Sequence, residues 1–430
     1  MASAQDSTSS VLPGAHPLRV AIVGGGIGGV VLAIGLLKHP HIDVHVYESA
    51  PSFGEIGAGV AIGPNAQRAL DLIGPEASEA FWKHATPNLW PSHAGTYIEY
   101  VFGTIEHENE HIHAQKMDGG MQSVHRAIFL EELVKFVPQD RAHFNKRVER
   151  IDDKPDKEVA LHFKDESVTL ADAVIGADGV HSYVRGYLLG KEVSQPVWTG
   201  CIAYRGVVPM DAAVEKLGAE HAQNSMMLCG YGQSLISYPI DHGQLSNIVL
   251  VVYGLEHWEH EKSVVPAKRQ VVEGRLQGWG NLAQGMVDLL DNPNLACWKI
   301  DRAPIAPYYN KNRVVMMGDA AHAMTPFQGQ GAGQAMEDAL VLVALLSKVT
   351  DPKQIPHAFA AFDLVRRPRT QKVMETSLEA GYLQGMMQEG VGDDIEKVRE
   401  LMSTRMHWIW NRDLDAQNEE AIALFHERLS

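Results

Sequence analysis

An acid set directly after a glycine at the end of an apolar run, and followed by a glycine-rich helix start, is the arrangement in this chain that holds most chemistry. Val314 to Ala339 reads VVMMGDAAHAMTPFQGQGAGQAMEDA. The carboxylate of Asp319, beside Gly318, can hydrogen-bond a polyol at close range. A helix opening at Gly329, Gln330, Gly331, Ala332 and Gly333 aims free backbone N–H groups and a positive dipole end at an anion. Together they would seat a ribityl chain and an electron-rich flavin ring. An ordinary strand-to-helix connection shows the same residues, and other stretches must decide between the two.

Near the amino terminus, the strand Arg19 to Val23 feeds Gly24-Gly25-Gly26-Ile27-Gly28-Gly29, then a helix, then a strand from Val44 to Tyr47 that ends at Glu48. This is a βαβ unit. Gly24, Gly26 and Gly29 match GxGxxG, whose glycines permit the tight turn, backbone approach to a pyrophosphate and close helix–strand packing. Glu48 follows Gly29 by 19 residues, where an acid takes the ribose hydroxyls of an adenine dinucleotide. The motif does not separate FAD from NAD. A second glycine-rich loop, Gly54 to Ala61, offers small residues that let backbone approach a flat ring, unless it is a surface loop. Arg126, opening an amphipathic helix (FLEELVKFV), can face a phosphate or a ribityl oxygen, or solvent. The strand Ala173 to Gly179 ends in Gly176-Ala177-Asp178-Gly179 before a helix, a further place where backbone and a carboxylate meet phosphates.

These motifs need a scaffold. Residues 143–163 read as a strand pair around the polar turn 152–157. From Val197 to Tyr253 the texture is of strands separated by turns, which predicts a mostly antiparallel sheet carrying Arg205 and Tyr238. The plainer alternative for those two is a paired structural cation and a tyrosine hydrogen-bonded across the sheet. A helix is expected from Ala267 to Trp279, an apolar one from Gln334 to Val349, and further helices beyond, with Pro356 and Pro368 as punctuation. Arg366-Arg367-Pro368-Arg369 reads as a solvated charge run, and Met406 to Trp410 as a segment that packs back on the body.

Composition sets the outer bounds. The 45% hydrophobic and 21% charged fractions are those of a globular protein, and the net charge of −16 disfavours nucleic acid or an anionic membrane. Val20 to Leu37 lacks charge for 18 positions, but its six glycines suit a strand–turn–helix and not a membrane span. Cys201, Cys229 and Cys297 are odd in number and widely spaced, which fits a reducing, cytoplasmic setting. The 21 histidines are scattered along the chain, and no metal is expected. The Ser-rich tail over residues 1–17 carries no secretory signal and is expected to be disordered.

The ordered triple of GxGxxG with Glu48, GADG followed by Ser182 and Arg185, and GDAAH with a proline and a glycine-rich helix start resembles the single-component FAD-dependent aromatic hydroxylases of the para-hydroxybenzoate hydroxylase superfamily. The resemblance spans roughly residues 19–369. The stretches HRAIFLEEL, AYRGVVPM and SYPIDHG are most similar to fungal salicylate hydroxylase-type monooxygenases. The resemblance implies an α/β chain (α+β overall) with a Rossmann-like FAD-binding domain of glutathione-reductase type over residues 18–80, 110–190 and 300–350. It implies an inserted, mostly antiparallel substrate domain over 81–109 and 191–299, and a helical region over 351–430. It implies Glu48 on the adenosine ribose, Ala61 and Arg126 along the cofactor, Asp178 near the phosphates and the visiting nicotinamide, Asp319 on the ribityl chain, and Gly331 and Ala332 at the flavin edge. Arg205 and Tyr238 match positions that hold the substrate phenolate in related dearomatizing enzymes. His322, Pro326 and Phe327 would border the substrate; some relatives carry histidine where Phe327 stands.

The activity so implied is hydroxylation of a small phenolic substrate with NADH or NADPH and dioxygen through a flavin hydroperoxide, by a monomer or homodimer. Salicylate-like substrates would lose carbon dioxide when the hydroxyl enters at the carboxylate-bearing carbon. The alternative within the class is hydroxylation, dearomatizing or not, of a polyketide resorcylic aldehyde or ketone in secondary metabolism. From a different class comes a non-catalytic FAD-fold binding protein, which would be colourless yet bind a protein partner. The halogenase WxWxIP signature is absent, since Trp408-Ile409-Trp410 runs into Asn411 and Arg412.

Overall fold

The computed structural model describes residues 16–54, 59–108, 110–155, 157–291 and 295–430. Residues 1–15 of the tail expected to lack order, residues 55–58 of the second glycine-rich loop, and residue 156 of the 152–157 turn lie outside the described residues.

The uncharged run after Val20 divides into the strand Leu18–Val23 and the helix Ile27–Leu36. All but one residue of that helix are buried, because helices and sheet surround it on every side. Among the described residues no helix is long and apolar enough to cross a membrane. The strand Leu18–Val23 lies inside a six-stranded sheet, parallel to Ile42–Tyr47 on one side and to Ala173–Gly176 on the other. Ala173–Gly176 pairs in parallel with Val314–Met316. The register aligns Val23 with Tyr47 and Gly176, and Gly176 with Met316. The three sequence motifs therefore leave the sheet at one edge, at the carboxyl ends of adjacent parallel strands, where open α/β sheets bind ligands.

A second sheet of eight strands stands apart from the first. Its order is Val264–Pro266, Ala296–Arg302, Val197–Pro209, Leu245–Val252, Gln233–Ile240, Met226–Gly230, Thr96–Phe102 and His111–Lys116. Every pairing is antiparallel except Met226–Gly230 with Thr96–Phe102. The sheet takes in His111–Lys116, beyond the boundary expected at residue 109. The pair expected over residues 143–163 forms as Val148–Asp152 and Val159–Phe163, with Val168–Ala171 as a third strand. Of the helix expected from Ala267 to Trp279 only Arg269–Glu273 is helical, and the chain turns at Gly278, whose φ of +84° favours glycine.

Two readings of the carboxyl-terminal region are corrected. Pro368 does not end a helix: it lies inside Ile355–Gln384, a single helix of 30 residues, whose first turn holds Pro356. Proline inside a helix costs about 3 kcal/mol, which the burial of Phe359, Phe362, Val373 and Met374 on the inward face offsets. Nor is 366–369 a solvated charge run. Arg366 is fully buried, with its Nη1 2.5 Å from Glu337 and its Nε 2.7 Å from Asp338, and Arg369 also pairs with Glu337. Trp410 packs edge-on against Tyr97, ring centroids 5.0 Å apart, so the segment does fold back on the sheet.

Candidate active site

The glycines at the carboxyl edge of the first sheet are required by space. A Cβ at Gly24, where φ is +111°, would stand 2.3 Å from the Ala177 carbonyl oxygen, and one at Gly29 would stand 2.2 Å from the Gly24 carbonyl oxygen. Strand, turn and helix thus meet backbone to backbone. Gly26 caps the helix Ile27–Leu36 with no side-chain cap and no acid in the first turn, leaving its N–H groups open to an anion. They face a cavity of about 420 Å³ lined by Gly24, Gly26, Glu48, Lys146, Arg147 and Asp178, among others. Glu48 is fixed there, accepting from the Gly25 N–H at 2.7 Å and the Ala50 N–H at 2.7 Å.

Asp178 lies on the same wall, but its carboxylate is already used. It accepts from the Ser182 hydroxyl at 2.5 Å and from the N–H groups of Tyr183 at 2.7 Å and Val184 at 3.1 Å, where the helix Tyr183–Leu189 begins. What Asp178 offers a dinucleotide is backbone.

A larger cavity of about 550 Å³ opens between the two sheets. His181 lines both cavities, so they adjoin. Ala61, Arg126, Asp319, Pro326, Phe327 and Gly329 border the larger one. Gly318, with φ of +57°, makes the turn that presents Asp319, and its N–H is held by Asp338 at 2.9 Å. The helix Gly331–Leu346 starts with no side-chain cap and no acid in its first turn. Gly331 and Ala332 occupy that turn, half-buried, and a Cβ at Gly331 would lie 4.0 Å from the Asp319 carboxylate. Two open helix starts, a pair of carboxylates at strand ends and a backbone cradle that excludes side chains fit a flavin adenine dinucleotide laid along both cavities.

On the opposite side the eight-stranded sheet supplies a floor. Strand register places Arg205, Val249, Ile236, Met227 and Tyr100 in one row across five strands, and all five line the cavity. Arg205 makes no hydrogen bond or ion pair among the described residues; its guanidinium lies 5.9 Å from the centre of the Trp298 ring. Burial lowers its pKa, and Tyr238 partly counters that. The buried Tyr238 hydroxyl donates to the Gly59 carbonyl at 2.9 Å, so the proton expected to reach a substrate is committed to the cavity wall.

His322 is corrected. It is wholly buried, with Nε2 2.6 Å from Asp338 Oδ2, and does not line the cavity. The short helix Asp319–His322 turns it inward, and Ala323, Met324, Pro326 and Phe327 form that wall instead. Phe327 stacks edge-on against Tyr253 at 5.2 Å, which makes this side apolar.

Sequence reading missed several residues. Arg405, Tyr100 and Gln384 line the cavity. Asn65 joins the buried charges, donating to Gln330 at 3.0 Å and Glu337 at 2.7 Å. One signal was present: two adjacent acids, Glu337 and Asp338, inside a helix otherwise apolar require buried partners.

With this geometry in view, the chain matches the family model described as an FAD binding domain over residues 17–377. It is 46% identical over 415 residues to a 6-methylsalicylate 1-monooxygenase of Aspergillus terreus, covering 95% of this chain and 92% of that protein. It is 37% identical over 426 residues to a salicylate hydroxylase of Pseudomonas putida, covering 94% of each. A solved salicylate hydroxylase in a substrate complex superposes with a TM-score of 0.85 at 33% identity, covering 94% of this chain and 98% of that one. The cradle, the open helix starts and these matches agree: the chain belongs to the FAD-binding domain family and is an FAD-dependent monooxygenase of the salicylate hydroxylase type.

Proposed function

We propose that the protein hydroxylates a phenolic ring of the salicylate or 6-methylsalicylate kind, with NAD(P)H as reductant and dioxygen as oxidant. Per turnover one oxygen atom enters the ring and the other leaves as water, with NAD(P)H and a proton consumed; entry at a carboxylate-bearing carbon also releases carbon dioxide and takes up a second proton. The observation that carries this reading is Arg205, a half-buried guanidinium that among the described residues has no carboxylate partner, facing a cavity that adjoins the dinucleotide site. The names of the relatives supply the substrate class.

Bound FAD supplies electron transfer from NAD(P)H and activation of dioxygen; the chain supplies everything else. Arg205, in surroundings of low dielectric, favours the ionised form of a phenol, and a phenolate ring is the stronger nucleophile. Val249, Ile236 and Met227 exclude water from the ring face. Glu48 and Asp319 orient the two ends of the cofactor, and the open start of the helix Gly331–Leu346 stabilises negative charge at the flavin edge. The Tyr238 hydroxyl, by holding Gly59, fixes the wall between cofactor and substrate. Three buried free cysteines suit a reducing, cytoplasmic setting, in which we expect a monomer or homodimer.

The test is direct. FAD-loaded protein is mixed with salicylate or 6-methylsalicylate under air, and NAD(P)H consumption is followed together with product mass and carbon dioxide. Stimulated consumption with matching hydroxylated product is expected. Stimulation that yields only peroxide, or none with any phenol tried, contradicts the proposal.

A further inference from the structure

The helix Ile355–Gln384 ends on two glycines that its backbone does not need. Gly381 is helical, and Gly385, just past the helix end, has φ of −85°, so neither stands in the left-handed region that favours glycine. Glycine weakens a helix relative to alanine, so Gly381 needs another reason. Space supplies it. A Cβ at Gly381 would stand 2.4 Å from Phe327 Cδ2 and 2.9 Å from Tyr253 Cε1, and one at Gly385 would stand 2.7 Å from Tyr253 Cδ2. Four residues apart, the two glycines lie on one helix face and form a notch that takes the edge-on pair of Phe327 and Tyr253.

The same face pins the backbone that carries Phe327. Ser377 donates to the Thr325 carbonyl at 2.6 Å, Gln384 Nε2 to the Phe327 carbonyl at 2.9 Å, and the Thr376 hydroxyl to Gln328 Oε1 at 3.2 Å. Tyr253 is tied at its tip, its hydroxyl 2.7 Å from that of Ser234. Phe327 shares an apolar cluster with Ala203, Val251, Ile300 and Ala380, and all five line the cavity. With the strap from Thr325 to Gln328 and Tyr253 both held, the open side of the Phe327 ring is the cavity. A close-packed interior does not absorb an added methyl without displacement. A methyl at Gly381 would push the ring towards the substrate.

We propose that Gly381 is a positioning residue: by letting the Phe327 ring recede into the helix, it sets the width of the cavity and so the bulk of the ring substituents that the enzyme accepts. Phe327 is the specificity-determining side chain that it places. This rests on the phenolic-substrate reading and adds to it a selection by size.

The experiment uses FAD-loaded wild type, Gly381→Ala, Phe327→Leu and the double variant, with flavin content read from absorbance. NAD(P)H oxidation followed with product mass gives KM and kcat for salicylate and for its ring-methylated and ring-ethylated derivatives. In Gly381→Ala the KM of at least one methylated derivative is expected to rise by about tenfold or more relative to that of salicylate, with kcat affected less and flavin retained. Phe327→Leu removes the ring that the new methyl strikes, so the double variant should return that ratio towards the wild-type value. Alone, Phe327→Leu should lower the KM of an ethylated derivative relative to salicylate. A Gly381→Ala enzyme that is weakened alike for every ring size, or a double variant no better than it, overturns the assignment. If Gly381→Ala does not load flavin, Phe327→Leu carries the test, and an unchanged order of preference among ring sizes overturns the assignment. If no phenol perturbs the flavin spectrum or stimulates NAD(P)H oxidation in the wild type, the phenolic reading falls and this inference with it. If phenols turn over but the preference for size ignores both substitutions, only this inference falls.

Discussion

Arg205 and Tyr238 sit close together, yet the structure gives them unequal work. A charged donor facing the cavity without a partner is available to a substrate oxygen, whereas the Tyr238 proton is held by Gly59. Losing a hydrogen bond to a charged group costs about 1.5–3 kcal/mol, roughly tenfold to a hundredfold in affinity or rate. Arg205→Ala should therefore retain FAD, read by absorbance, and lose substrate-stimulated NAD(P)H oxidation by at least about tenfold. Tyr238→Phe should cost less, about 1 kcal/mol, and appear mainly in KM; an effect as large as that of Arg205→Ala would return a direct role to the hydroxyl. Gly24→Ala meets the Ala177 carbonyl and a left-handed φ at once, and should yield protein without bound FAD. Gly24, Gly29 and Glu48 were legible in the sequence because their roles are local. The partner of Tyr238 was not, since Gly59 lies 179 residues away and nothing in either neighbourhood encodes the contact.

Two helices carry a buried charge cluster against the cofactor seat. Glu337 and Asp338 on Gly331–Leu346 meet Arg366 and Arg369 on Ile355–Gln384, and Asp338 also holds the Gly318 N–H beside Asp319. Breaking a buried pair by removing one partner costs about 3–5 kcal/mol. Arg366→Ala should lose stability of that order in urea unfolding and weaken FAD retention. Burial opposes ionisation of both acids, but Arg366 and Arg369 for Glu337, and His322 and Arg366 for Asp338, outweigh it and hold the carboxyls below their ordinary range. Their stabilisation is complete above the unfolded-state pKa values and is lost as pH falls through the folded ones. Unfolding midpoints should accordingly drop on acidification below about pH 4, and less steeply in Glu337→Gln; identical pH slopes would remove the cluster from the account of acid stability. This device was hidden in the sequence. Arg366 to Arg369 looks solvated because a charge run does not say which helical face it occupies, and Pro368 invites a break that packing overrides.

At the scale of the molecule, the parallel register of four strands converts three distant motifs into one edge, and that much the order of the motifs already implied. The sheet bearing Arg205 and Tyr238 was also readable from strand texture. The closure of the cavity by Gln384, Arg405 and Met406 was not, because they are brought there by long-range packing, with Trp410 of the same segment against Tyr97. The two adjoining cavities form one path, with cofactor along one side and an apolar floor ending in cations along the other. The measurement that bears most directly on this arrangement is turnover of salicylate or 6-methylsalicylate by the FAD-loaded enzyme with NAD(P)H under isotopically labelled dioxygen. One labelled oxygen atom in the aromatic product, in step with NAD(P)H consumed, is the expected result. Product oxygen drawn from water, or NAD(P)H oxidation with no oxygenated product across the phenolic acids, would contradict it.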